Sequence, residues 1–152
     1  MSLPNIFTKE VSDKIIERIN RLTPSTPAIW GKMNVSQMLA HCNVTYEMAY
    51  ETKHPKPNFF MRFFLKTFVK KIVTDERPYK HNSQTAPAFI IKENKDFEAE
   101  KLRLINYINK TQQSGESHFE NKESLSFGPL NKTEWNNLFY KHLDHHLTQF
   151  GV

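Results

Sequence analysis

A chain of 152 residues with 38% hydrophobic, 24% charged and 12% aromatic side chains is close to the commonest size of one folding unit. A multidomain assembly is thereby excluded, and a single domain spanning residues 1–152 is expected. Twelve Phe, five Tyr and two Trp supply large apolar volumes for a core, which argues against disorder. The 21 Lys+Arg against 16 Asp+Glu leave a net charge of +5, too small an excess to require a nucleic-acid partner.

The single cysteine, Cys42, cannot form an internal disulfide, and the N-terminal residues have neither the basic flank nor the apolar run of a secretory signal. A cytoplasmic location is expected. Helical periodicity begins at residues 8–22, where Val11, Ile15, Ile19 and Leu22 form one stripe among charged neighbours. After the Pro-containing stretch 23–27, a second helix starts near Asn34 with Val35, Met38, Cys42, Tyr46 and Ala49 on its apolar side, ending before His54-Pro55-Lys56-Pro57.

Residues 58–73 are apolar round most of a helix, with Arg62, Lys66 and Lys70 as one basic stripe. This segment is expected to cover the core with its aromatic surface and to keep the basic edge in water. Its basic and aromatic composition also fits a membrane-surface or nucleic-acid contact. It is too short and too charged to span a bilayer, so stable membrane insertion is not expected. The pattern lapses over residues 74–91, read as a long crossover with an optional short strand at 88–91. It resumes as a helix at 96–112, followed by a loop through Gly115 and Gly128. A last helix opens on Asn131-Lys132-Thr133-Glu134, a capping-box pattern, and runs to Gln149. The expected fold is all-α: an antiparallel four-helix bundle with one additional aromatic-rich helix and a long crossover connection.

Three of the seven histidines fall in His142-Leu143-Asp144-His145-His146. At about 100° per residue, Trp135, Leu138, Phe139, His142, His146 and Phe150 share one face of the last helix, Asp144 points away, and His145 lies at the edge. Imidazoles at i and i+4 can reach one cation; His142 with His145 at i, i+3 is the alternative pair. His41, beside the apolar stripe of the second helix, is the one other histidine in a predicted helix, and so is the candidate third ligand. Three neutral imidazoles suit a divalent ion, Zn or Ni first, with Fe, Co or Mn as further options. The competing reading of such histidines is a hydrogen-bonded core. His54, His81 and His118 fall in loops and are expected to be exposed.

The stretch Trp30-Gly31-Lys32-Met33-Asn34-Val35-Ser36-Gln37-Met38-Leu39-Ala40-His41, with Tyr140-Lys141-His142-Leu143-Asp144-His145-His146-Leu147-Thr148-Gln149-Phe150-Gly151 far downstream, resembles the DinB/YfiT-like superfamily, in particular a branch of small bacterial proteins without assigned function. The resemblance implies a DinB-like four-helix bundle holding a divalent metal on His41, His142 and His146. It further implies a small-molecule transferase that uses a low-molecular-weight thiol as cosubstrate. Metal-dependent hydrolysis is a second enzymatic reading, and a non-enzymatic stress-related binding bundle a third.

No catalytic acid or base is assigned: Tyr46, Glu47, Tyr50 and Glu51 follow His41 on its helix, but nothing in their spacing separates site from surface. Cys42 is expected to be a buried, inert thiol. No dinucleotide, P-loop, paired-Cys or serine-hydrolase motif occurs. The expected partner is a small-molecule substrate, with no nucleic acid, and a homodimer is an option if the aromatic helix is exposed.

Overall fold

The computed structural model describes residues 2–152. Helix α1 (Lys9–Asn20) is capped by the Thr8 side chain, which accepts from the Val11 amide, and buries Ile15 and Ile19. Helix α2 (Val35–Tyr50) opens with a reciprocal capping box, the Asn34 side chain on the Gln37 amide and the Gln37 side chain on the Asn34 amide. Eleven of its sixteen residues are buried, more than one stripe requires, because α2 is covered on several sides. It packs on α5 (Phe97–Phe119), on α6 (Lys132–Gln149) and under a 3-10 turn at Pro87–Phe89.

The four longest helices share one core. Tyr46 of α2 stacks between Tyr107 of α5 (5.5 Å) and Phe139 of α6 (4.8 Å), while Phe119 lies edge-on to Phe139. Ile15, Ile19, Leu104, Ile108 and Leu143 complete the apolar interior. Cys42 is buried there, its Sγ 3.7 Å from Met38 Sδ, and burial pushes its thiol pKa far up, so it is not a nucleophile.

The protein is mostly helical but not all-α. Lys122–Ser124 (β1) and Gly128–Leu130 (β2) pair as an antiparallel hairpin. No strand forms at 88–91, where the short apolar run makes the 3-10 turn instead. Helix α5 also runs beyond residue 112, bending at Gly115 (φ 72°, ψ 171°), a conformation that suits glycine. His118 therefore sits in a helix rather than a loop, though exposed.

The segment expected to cover the core does the reverse. It forms α3 (Phe59–Phe64), a π turn (Leu65–Val69) and α4 (Lys70–Thr74), and nothing from 59 to 69 is buried. Its basic stripe faces the body and its aromatic side faces solvent. Residues spaced by four drift about 40° per step round an α-helix, so Arg62 and Lys70 would diverge by about 80°. The π turn inserts one residue and removes most of that drift. Arg62 then meets Glu123 of β1, and Lys70 meets Glu134 of α6 at 2.9 Å. At the far end α6 binds the carbonyls of this segment: Asn137 donates to Thr74, and buried Lys141 donates to Ile72 and Asp75. Polar contacts, not apolar packing, hold the aromatic arm in place.

Candidate metal centre

Helices α2 and α6 bring His41, His142 and His146 together, with ligand nitrogens all within 4.8 Å of one another. Among the described residues this is the one group of three or more His, Cys, Asp or Glu side chains placed to share an ion. His41 and His146 are buried and His142 is half-buried. The i, i+4 pair on α6 is the one that converges with α2. His145 instead turns towards Trp30, Tyr79 and His81, lining a pocket of about 130 Å³ beside the cluster.

Each ring is fixed through its Nδ1. His41 Nδ1 lies 2.8 Å from the Phe89 carbonyl, which can only accept, so that nitrogen carries the proton and Nε2 keeps its lone pair. His146 Nδ1 is 2.8 Å from Gln149 Oε1. The Gln149 amide nitrogen donates to the Trp30 carbonyl at 2.7 Å, which settles which end of the amide faces the imidazole. His146 Nδ1 therefore donates too, leaving its Nε2 free. His142 Nδ1 meets the Thr45 hydroxyl at 2.9 Å, a partner able to donate or accept. The His41 and His142 Nε2 atoms stand 2.9 Å apart, against about 3.3–3.4 Å for two nitrogens on one tetrahedral ion with bonds of 2.0–2.1 Å. A few tenths of an ångström and a proton shift on His142, which Thr45 can follow, convert this contact into a chelate.

Electrostatics favour the ligand form. Burial pushes the His146 pKa down to about 3, helped by the neighbouring His41 charge. His142 is held well below the ordinary imidazole range by burial and then by His146 and His41. His41 is lowered by burial, with the Phe89 hydrogen bond opposing. All three rings are neutral at pH 7, so binding a cation displaces no ring charge.

The donors show why the two sequence stretches belong together. Trp30 presents its carbonyl to Gln149, and the Ile29 amide donates to the Gln149 carbonyl at 2.8 Å. At Gly31 (φ 87°) an added Cβ would lie 2.4 Å from Gln149 Nε2, so any larger residue would displace the side chain that orients His146. Replacing Gln149 by Leu is expected to weaken divalent-metal binding by about 10–100-fold. The unpartnered Trp30 carbonyl should cost a further 1–3 kcal/mol or so of stability. Competition with a chromophoric chelator and thermal unfolding read the two effects, and unchanged metal affinity would remove Gln149 from the site.

The other candidates on α2 lie elsewhere. Glu47, with a side chain only 3% exposed, binds Lys53, His54 and Arg103; burial raises its pKa, but those three partners together hold it below the usual carboxylate range. His54 is thus half-buried on Glu47 rather than exposed. Glu51 accepts from Tyr107, Tyr50 pairs with Thr111, and Tyr46 is sealed in the aromatic stack. No general acid or base from α2 joins the imidazoles. Sequence reasoning missed Thr45 and Gln149, although each sits one helical turn from a candidate histidine on the same helix.

Fold and cluster together define a mostly helical protein with a three-histidine centre able to hold a metal ion. Residues 6–151 match the model of a family described as protein of unknown function (DUF1569), and the chain belongs to that family. No curated protein and no solved structure matches it.

Proposed function

We propose that the protein is a DinB-like divalent-metal protein that serves a small-molecule transferase reaction with a low-molecular-weight thiol, using His41, His142 and His146 as metal ligands. The observation that carries this reading is the common fixing of all three Nδ1 atoms by Phe89, Thr45 and Gln149, on rings whose ligand nitrogens lie within 4.8 Å of one another. A histidine core built only for packing would have no need to hold each ring by the same nitrogen. When bound, a divalent ion here supplies Lewis acidity that lowers the pKa of a thiol or water beside it. The neutral rings leave the ion its full positive charge, and the α2, α6 and Pro87–Phe89 walls restrict water around it. The lack of a carboxylate base among the four candidates on α2 favours the thiol over hydrolysis, because a thiol's ordinary pKa of about 8.5 leaves far less for a base to do.

Elemental analysis of untagged protein tests the centre, and wild-type protein that stays metal-free after reconstitution with Zn, Ni and Mn would reject it. Screening low-molecular-weight thiols against generic electrophiles tests the chemistry. Turnover is expected to need the thiol, to vanish with a chelator, and to vanish in His142→Ala/His146→Ala; thiol-dependent turnover unaffected by that variant rejects the mechanism.

A further inference from the structure

Seven of the ten exposed large apolar side chains among the described residues lie between residues 59 and 72. Phe59, Phe60 and Phe63 are 79%, 82% and 65% exposed, and Phe64, Phe68 and Ile72 are each more than half exposed. Scattered apolar residues on a surface need no explanation, but such a concentration on one protruding element does. The same region is one-signed. Residues 52–74 contain Lys53, Lys56, Arg62, Lys66, Lys70 and Lys71 and no Asp or Glu. Lys53, Arg62 and Lys70 have carboxylate partners within the protein. Lys56, Lys66 and Lys71 are exposed, and no carboxylate partner is found for them among the described residues, but Lys66 lies against Gly128 of the hairpin, which leaves Lys56 and Lys71 as the outward cations.

We infer that α3, the π turn and α4 form a peripheral membrane-docking arm, with the five phenylalanines entering the headgroup boundary of an anionic bilayer and Lys56 and Lys71 meeting its phosphates. The orientation of the arm selects this occupant. A nucleic-acid strand would need the cations of the stripe turned outward between the rings, whereas Arg62 and Lys70 are turned back onto Glu123 and Glu134. A second copy docked face to face would set lysines against lysines with no acid in the segment to offset them. A bilayer accepts an apolar face flanked by cations, to a depth of about 5–10 Å, without asking for counter-charges inside the patch. The arm lies on the surface and does not cross: among the described residues no helix is long and apolar enough to span a membrane. This inference stands whether or not the histidine centre binds metal.

Co-sedimentation with vesicles of phosphatidylcholine and phosphatidylserine at 7:3, in 0.15 M salt, tests it. Wild-type protein is expected in the pellet with these vesicles and mostly in the supernatant with pure phosphatidylcholine. Lys56→Gln/Lys71→Gln should weaken binding roughly 25-fold, about fivefold per lysine. Phe60→Ser/Phe63→Ser should abolish it with no loss of melting temperature, since both rings are in solvent. The inference fails if wild-type protein stays in the supernatant with the anionic vesicles, or if the Phe substitutions leave pelleting unchanged. A wild-type dimer that the Phe substitutions dissociate, without vesicle binding, assigns the arm to a second copy instead.

Discussion

Replacing His146 by Ala is expected to reduce divalent-metal affinity by more than the roughly 10–100-fold that loss of an outer partner costs. The change removes a ligand atom, not merely its orientation. The same experiment on His145→Ala should leave affinity close to wild type, because that ring packs edge-on to His146, Trp30 and His81 but is not one of the three rings whose nitrogens converge. The pair of variants separates i, i+4 chelation from i, i+3 chelation directly. A second readout is stability. An ion bound to the folded chain alone and present at about a thousand times its dissociation constant adds about 4 kcal/mol. At about 2–4 °C per kcal/mol for a chain of this size, that is on the order of 10 °C in Tm. Wild type should show the shift on addition of metal, and His146→Ala should not. If His146→Ala binds and is stabilised as wild type is, the centre lies elsewhere.

The second large effect is on acid stability in the presence of a chelator. The unfolded chain titrates its histidines near 6.5, while burial holds His146 at about 3 in the folded protein. Above pH 6.5 both states are neutral at this ring and it contributes nothing to the pH dependence. As pH falls from 6.5 towards 3 the unfolded state takes up a proton that the folded state refuses, so stability falls by about 1.4 kcal/mol per unit. The loss levels off below 3. By pH 4.5 His146 alone should cost roughly 3 kcal/mol, and His142 and His41, both lowered, act with the same sign. Urea unfolding between pH 7.5 and 4.5 should show this slope, and His146→Leu should flatten part of it. A slope indifferent to that substitution would show that the ring is not held neutral by its surroundings.

The helices that build the centre were readable because their signals are local. Thr8, Asn34 with Gln37, and Asn131 with Glu134 mark three starts, and apolar spacing marks the buried faces of α1 and α6. The His142 and His146 positions follow from the α6 face, and His41 from its place beside the apolar stripe of α2. The outer partners divide by chemistry. Gln149 lies three residues from His146 on the same helix and was within reach of the same geometry, whereas Thr45 bonds His142 across a separation of 97 residues, which local spacing does not announce. The Phe89 acceptor is a backbone carbonyl, which no residue type announces. The hairpin strands are three residues each, too short for alternation to register. The aromatic arm was misread for a deeper reason. Amphipathic spacing fixes that Arg62 and Lys70 oppose the phenylalanines but not which side meets the protein. That choice rests on Glu123 and Glu134, more than fifty residues away.

His41 and His142 touch across a separation of 101 residues, and Gln149 reaches Trp30 across 119. At about 5–20 residues per second of translation, a ribosome needs on the order of 5–20 s after making α2 before the first histidine of α6 exists. Through that interval a nascent chain carries a lone imidazole on α2 with no chelating partner. An ion therefore cannot be held by all three rings until α6 has been made, and it cannot guide the folding of the earlier helices while the chain is still being synthesised.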